Sequence, residues 1–190
     1  MDLNNYIKVY DNFLPVQTVS SLIIWSNNIC FEEATIGKGD VKKDIRDAEI
    51  FSLTTINKGD SKTKIHWSNL LGKFFFEKFL EYSNEVFTIR KEFVARKLLD
   101  LGILKYKKNG KYVPHVDHCL ENPRTLSAIL FLNNDYEGGN LNFYSPDGTI
   151  IKKIYPNPGK LVIWPSTFLY PHSVEPVTKG VRYTIVSWAI

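Results

Sequence analysis

The chain has 190 residues, of which 44% are hydrophobic and 23% are charged. These values are ordinary for a folded globular domain and exclude a disordered chain or a coiled coil. Lysine and arginine outnumber aspartate and glutamate by only 24 to 20, which argues against a nucleic-acid partner, because such proteins carry a dense basic stripe. A chain of this length fits one domain, and we expect residues 1–190 to form a single domain.

The first half of the chain is predicted to be mainly helical. Apolar residues recur at helical spacing over residues 16–25, after a proline at the helix start, and again over residues 66–87. Between these helices, residues 36–43 contain glycine and lysine and are predicted to form an exposed loop. Residues 48–54 have the composition of a strand.

From residue 92 onward, the pattern changes to short β-rich runs separated by turn signals such as Asn109-Gly110 and Gly138-Gly139. This pattern is typical of an all-β sandwich or barrel. The predicted strands cover residues 95–106, 112–118, 126–133, 140–144, 150–154, 160–164, 172–177 and 182–188. The fold class is therefore predicted to be mainly β with flanking helices.

The cysteines and the apolar runs indicate where in the cell the protein is expected. Cys30 and Cys119 form no metal-type spacing, and we expect both to be reduced thiols. The first residues lack a basic stretch followed by an apolar core, and no apolar run approaches the roughly 20 residues that span a bilayer. These features predict a cytoplasmic location with no membrane partner.

A candidate metal site begins at His115 and Asp117, which are separated by one residue in a predicted strand. Their side chains would point to the same face and could bind one ion, with a third ligand from elsewhere in the chain. Two histidines and one carboxylate leave three coordination positions open, as an Fe(II) centre requires for a bidentate co-substrate and dioxygen. The same triplet alone is also common as a surface pair or a turn. Strand alternation turns His118 to the opposite face, and His66 is expected to be structural.

A candidate anion site is indicated by Arg182, which shares a strand face with Thr184, Val186 and Trp188. A buried guanidinium without an anion is strongly disfavoured. Its partner could be an acidic side chain of the protein, or the carboxylate of a co-substrate held by two hydrogen bonds. An outward-facing arginine is the third alternative.

At this point the residues resemble a known family. The segment Tyr-Lys-Lys-Asn-Gly-Lys-Tyr-Val-Pro-His-Val-Asp, residues 106–117, is similar to the metal-binding strand of the prolyl 4-hydroxylase branch of the 2-oxoglutarate oxygenases. Further matches follow in the family's order: Arg124-Thr125, Phe131-Leu132-Asn133, Gly138-Gly139 with Phe143, Pro156 with Gly159, His172 and Arg182. The resemblance spans roughly residues 100–190 and is weak in the first 90 residues.

The resemblance implies a double-stranded β-helix, or jelly roll, over residues 93–190, with residues 1–92 as helical support. It implies that His115, Asp117 and His172 hold the metal. It further implies that Arg182 binds the distal carboxylate of 2-oxoglutarate.

Other site residues follow from the same resemblance. Tyr106 would hydrogen-bond the co-substrate, and Tyr112 and Trp188 would flank a substrate proline ring, with ordinary core packing as the alternative for both. Phe131 and Leu141 stand where close relatives carry hydroxyl groups. Ser127 lies on the Phe131 side of its strand and could supply a replacement hydroxyl to the co-substrate.

The resemblance implies an Fe(II)- and 2-oxoglutarate-dependent dioxygenase that hydroxylates an unactivated carbon and releases succinate and CO2. The cofactors would be Fe(II), 2-oxoglutarate and O2, with ascorbate as a further candidate. A peptidyl proline in a peptide or protein is the favoured substrate; a free amino acid, another small molecule or another protein side chain is the alternative. The rival from a different class is a non-catalytic jelly-roll module that binds a ligand or senses a metal. By analogy with the family, residues 36–43 are a candidate substrate-covering loop.

Overall fold

The computed structural model describes residues 2–36, 39–87, 95–121 and 123–190. Within these ranges the chain forms one short 3-10 helix (Leu3–Tyr6), two α-helices and fourteen strands. The α-helices are α1 (Val16–Ser26) and α2 (Lys62–Val86). The strands are β1 (Lys8–Tyr10), β2 (Glu32–Glu33), β3 (Arg46–Asp47), β4 (Glu49–Ser52), β5 (Leu98–Tyr106), β6 (Lys111–His115), β7 (Leu126–Phe131), β8 (Glu137–Gly138), β9 (Leu141–Tyr144), β10 (Ile150–Ile154), β11 (Leu161–Pro165), β12 (His172–Val174), β13 (Val177–Lys179) and β14 (Arg182–Ala189).

The strands form two large antiparallel sheets and one small one. The larger sheet has seven strands in the order β1-β11-β7-β14-β5-β4-β2, and the second has five in the order β10-β9-β12-β6-β3. Strands β13 and β8 form a separate pair. Neighbouring strands that are far apart in sequence are typical of a jelly roll, which confirms the predicted fold class.

Side chains alternate between two hydrophobic cores. On the outer face of the seven-stranded sheet, residues such as Ile103, Leu130 and Ile185 pack with the buried faces of α1 and α2. The next residues along the same strands, such as Leu104 and Ile129, belong to a second core that includes residues of the five-stranded sheet. Strands β7, β11 and β14 contribute side chains to both cores, which explains why they are buried along most of their length.

Helix α2 begins four residues before the predicted start. Ser61 caps it, because the Ser61 hydroxyl accepts a hydrogen bond from the backbone N–H of Lys64 at 3.1 Å. Its buried face includes Leu71, Phe75 and Phe79, the spacing that predicted the helix. Within the described ranges, no helix is long and apolar enough to cross a membrane.

Two strand predictions differ from the structure in ways that matter for the site. The predicted strand 112–118 ends at His115, so Asp117 lies just beyond it. The predicted strand 172–177 is divided into β12 and β13, since Pro176 has no N–H to donate to a ladder. Both cysteines are free, as expected. Of the predicted loop 36–43, residues 37 and 38 lie outside the described residues.

Candidate active site

His115, Asp117 and His172 come together where β6 and β12 pair. His172 lies directly opposite His115 in the antiparallel register, and their ring centroids are 4.3 Å apart. One ligand-type atom from each of the three side chains lies within 4.8 Å of the others. The structure therefore brings together the three residues that were predicted from the sequence as metal ligands.

The hydrogen bonds of the two imidazoles determine which nitrogen faces the cluster. Nδ1 of His115 lies 2.9 Å from the carbonyl oxygen of Val113, and Nδ1 of His172 lies 3.1 Å from that of Tyr170. A carbonyl only accepts, so each Nδ1 carries a proton, and Nε2 is the nitrogen of each ring that faces Asp117. The two Nε2 atoms are 3.6 Å and 3.4 Å from the oxygens of Asp117.

The charges of the cluster favour a cation at its centre. Burial lowers the pKa of His172 to about 4, although Asp117 acts in the opposite direction, so His172 is neutral at neutral pH. Burial alone would raise the pKa of Asp117, but His172, His115 and a hydrogen bond from Ser127 hold it well below its ordinary value. A carboxylate and two imidazoles thus converge on one point, and their oxygen and nitrogen atoms are donors that a bound metal ion would use.

Arg182 is fully buried, facing the core between the sheets. Its Nη1 donates to the hydroxyl of Thr184 at 3.2 Å, and its guanidinium carbon lies 4.9 Å from the ring centroid of Tyr106 and 5.3 Å from that of Phe131. Nε and Nη2 have no hydrogen-bond partner within the described part of the chain. Two unused donors on a buried cation fit a carboxylate ligand.

Tyr136 was not predicted from the sequence. Its hydroxyl is buried and has no hydrogen-bond partner among the described residues. Burial raises its pKa, and the neighbouring Arg182 cation partly opposes that rise. A Cβ atom placed on Gly139 would lie 3.0 Å from both Arg182 Cδ and Tyr136 Cε2, so both side chains pack over this glycine. A lone tyrosine before two glycines gives no sequence signal of this contact.

Ser127 was predicted to offer its hydroxyl to the co-substrate, but this hydroxyl lies next to Asp117. Its hydroxyl is 2.7 Å from Asp117 Oδ2 and 2.7 Å from the hydroxyl of Ser166, and it is not a partner of Arg182. Tyr106 is buried next to Arg182, and its hydrogen bond to the co-substrate stays a prediction. His118 is exposed, and its Nδ1 is near the backbone of Arg124 rather than the cluster.

A cavity of about 480 Å³ adjoins the three-residue cluster and is lined from both large sheets. Tyr112 and Trp188, the predicted substrate contacts, both line it, as does Tyr106. The volume is in the range of small-molecule and cofactor sites. Thr35, Ile36 and Arg46 of the first half of the chain also line this cavity. Ile36 is the first residue of the predicted substrate-covering loop, whereas the sequence did not indicate Thr35 or Arg46.

Arginine side chains contact both predicted substrate aromatics. The guanidinium carbon of Arg124 is 3.8 Å from the ring centroid of Trp188, and that of Arg46 is 4.9 Å from the centroid of Tyr112. Arg124 also reaches Asp100 at 3.4 Å. The wall of the cavity therefore includes aromatic rings with cations stacked on them.

Part of this chain is similar in sequence to known proteins. Residues 101–190 match the model of the 2OG-Fe(II) oxygenase superfamily. Human prolyl 3-hydroxylase 1 is 35% identical over 97 residues, which are 43% of this chain and 13% of that protein. A PKHD-type hydroxylase from Crocosphaera subtropica is 37% identical over 95 residues, 46% of this chain and 41% of that protein. The chain thus spans less than half of the length of these curated relatives.

The fold of the whole chain is also shared with a solved structure. A prolyl hydroxylase from Trichoplax adhaerens, in complex with a peptide fragment of the hypoxia inducible factor oxygen degradation domain, superposes with a TM-score of 0.79 at 19% identity. The match covers 99% of this chain and 85% of that one. Residues 101–190 are therefore similar in sequence to the 2OG-Fe(II) oxygenase superfamily, and the chain shares its fold with a prolyl hydroxylase of known structure.

Proposed function

We propose that the chain is an Fe(II)- and 2-oxoglutarate-dependent dioxygenase that hydroxylates a proline side chain of a peptide or protein. The observation that carries the proposal is the buried Arg182, whose Nε and Nη2 are unused among the described residues. Together with two imidazoles and a carboxylate near one cavity, it provides a metal site and an anion site, the two that this co-substrate needs.

In this proposal, His115, Asp117 and His172 hold the metal through Nε2, a carboxylate oxygen and Nε2. Nitrogen and oxygen donors suit Fe(II), and no thiolate is required. The chemistry that the Fe(II) centre supplies when bound is the activation of dioxygen, with one oxygen atom entering succinate and the other the hydroxylated product as CO2 is lost.

Arg182 would bind the distal carboxylate of 2-oxoglutarate with its free donors. The Tyr136 hydroxyl lies beside the same guanidinium and is also unpaired among the described residues, so we place it in the same anion site. It would supply the hydroxyl that Phe131 lacks. Tyr106 lies between this site and the cavity. The guanidinium of Arg182 lies over the ring of Tyr106, and Tyr106 also lines the cavity.

Tyr112 and Trp188 would contact the substrate from the walls of the cavity. Aromatic rings suit an apolar, saturated ring such as that of proline. The Trichoplax relative was solved with a peptide bound, which supports a peptide over a free amino acid. A small-molecule substrate remains the alternative, because a cavity of about 480 Å³ would also accept one.

The test is turnover of 2-oxoglutarate by the purified chain with Fe(II) and proline-containing peptides, followed by succinate formation and the mass of the peptide. We expect succinate and a peptide gain of one oxygen atom, and loss of both in His172→Ala. His118→Ala is the matched control, since His118 is exposed next to Asp117 but outside the cluster. Metal binding without succinate for any substrate would instead favour the non-catalytic binding module.

A further inference from the structure

Two buried serines form a chain of hydrogen bonds that ends at Asp117. Ser127 on β7 and Ser166 just after β11 are each only 1% exposed. Ser127 Oγ is 2.7 Å from Asp117 Oδ2 and 2.7 Å from Ser166 Oγ. The three oxygen atoms thus form a continuous chain that begins in the core and ends at the predicted metal cluster.

The direction of this chain follows from the number of protons. Ser127 donates to Asp117 Oδ2, and a serine hydroxyl has only one proton to donate. The second contact of Ser127 must then be one that it accepts. Ser166 is therefore the donor, and the order of donation is Ser166 to Ser127 to Asp117.

The main chain of Ser166 also forms hydrogen bonds with backbone groups near Asp117 and Ser127. Its carbonyl accepts a hydrogen bond from the backbone N–H of His118 at 3.1 Å, and its N–H donates to the carbonyl of Thr125 at 2.9 Å. Asp117 lies beyond the end of β6, so no strand ladder orients it. Ser166 fixes the backbone after Asp117, and through Ser127 it fixes the carboxylate.

The two carboxylate oxygens of Asp117 are consequently not equivalent. Oδ2 accepts a hydrogen bond from Ser127 at 2.7 Å and also lies 3.4 Å from His172 Nε2. Oδ1 is 3.6 Å from His115 Nε2, beyond hydrogen-bonding distance. We propose that Ser127 and Ser166 are positioning residues of the metal centre, which orient Asp117 so that Oδ1 is the oxygen free for the ion. The inference rests on the proposed function.

The test is the affinity of the full chain for Co(II) or Mn(II), which do not oxidise during the titration, measured by calorimetry on Ser127→Ala, Ser166→Ala and the double variant. Loss of a group that orients a ligand typically weakens metal affinity about 10-fold to 100-fold. We expect at least about a 10-fold loss in Ser127→Ala and a smaller loss in Ser166→Ala. Because Ser166 acts through Ser127, the double variant should bind no more than about twofold more weakly than Ser127→Ala.

Ser187→Ala is the matched control. Ser187 is equally buried in the same sheet, but its hydroxyl donates to the carbonyl of Asp100 at 2.7 Å. We expect this variant to bind metal like the wild type even though it also loses a buried hydrogen bond. The absorption spectrum of bound Co(II) should change in Ser127→Ala and stay unchanged in Ser187→Ala, a difference that a loss of stability alone does not produce.

The outcomes separate this inference from the function on which it rests. If the wild type binds metal and Ser127→Ala binds it as tightly as Ser187→Ala does, the positioning role is wrong while the proposed function stands. If the wild type binds no metal, both are wrong. Should Ser127→Ala fail to fold, Ser166→Ala decides, because it keeps the donor to Asp117 and removes only the support behind it.

Discussion

The ring of Tyr112 stacks on the imidazole of His115, with centroids 3.5 Å apart and ring planes at 18°. A predicted substrate contact therefore also supports a predicted metal ligand. We expect Tyr112→Leu to raise the KM for a peptide substrate and to weaken metal affinity about threefold to tenfold, since an aromatic pair contributes about 0.5–1.5 kcal/mol beyond its buried area. Peptide kinetics and metal titration measure the two effects.

Tyr112→Phe is the control for this change because it keeps the stacked ring. Its metal affinity should stay within about twofold of the wild-type value. If Tyr112→Leu keeps the wild-type KM for the peptide and the wild-type metal affinity, the stack on His115 contributes nothing. Tyr112 would then only pack in the wall of the cavity.

The second prediction concerns Gly139, over which Arg182 and Tyr136 pack. Gly139 has φ +62, and a Cβ atom would lie 3.0 Å from a carbon of each side chain. Gly139→Ala should therefore displace Arg182 and raise the KM for 2-oxoglutarate at least about tenfold, besides a backbone cost of about 1–2 kcal/mol. Steady-state kinetics and thermal unfolding measure the two effects.

Gly148→Ala separates these two effects. Gly148 has φ +87 but has no atom within 4 Å of the added Cβ, so this variant carries a similar backbone cost without the contact to Arg182. We expect it to lose stability and keep the wild-type KM for 2-oxoglutarate. An equal KM in the two variants would contradict the role of Gly139.

Tyr136→Phe removes only the hydroxyl that lies beside Arg182. If this hydroxyl donates to the carboxylate of 2-oxoglutarate, the affinity should fall about tenfold, as is usual for a hydrogen bond to a charged group. The free protein should unfold at an equal or higher temperature, because an unpaired buried hydroxyl is removed. Tyr183→Phe, which removes a hydroxyl bonded to Asn27 on the other side of the sheet, should lower stability and leave 2-oxoglutarate affinity unchanged.

Features that are marked by residues close together in the chain could be predicted from the sequence. His115 and Asp117 are two residues apart, and Arg182 stands out as a charge among apolar strand residues. The long helix α2 and the longer strands follow from periodicity over many residues. The two-residue strands β2, β3 and β8 carry too few positions for a period and were not predicted. The assignment of residues 1–190 to a single domain stays a prediction.

Contacts between distant segments could not be predicted. Ser127 shares a strand face with Phe131, which suggested a common site, but four residues of strand separate them by ~13 Å. At this distance from Phe131, the hydroxyl of Ser127 lies next to Asp117, to which it donates a hydrogen bond. Ser166 becomes important only through the register of β11 with β7, and Tyr136 only through its packing with Arg182 over Gly139. Neither contact leaves a pattern in a single sequence.

A cluster outside the site gives the final prediction. The carboxylate of Glu175, just after β12, accepts hydrogen bonds from Asn140 at 2.6 Å, Asn142 at 2.9 Å and Lys153 at 2.8 Å. It thereby joins β12 to β9 and β10, the strands beside His172. Partial burial raises the pKa of Glu175, but the hydrogen bonds from Lys153, Asn142 and Asn140 together hold it below its ordinary value.

The folded-state pKa of Glu175 thus lies below the unfolded one, so the folded state binds fewer protons between the two values. The stability that this carboxylate contributes is present above the unfolded pKa and is lost as the pH falls through the folded pKa. Glu175→Gln should lower the free energy of unfolding at pH 7 by about 1 kcal/mol, because the group is partly exposed and screened. Denaturant titrations should show the gap between the variant and the wild type closing as the solution becomes acidic. Glu137→Gln, at an exposed ion pair with Lys179, should change stability far less at any pH; a gap for Glu175→Gln that is constant with pH would contradict the lowered pKa.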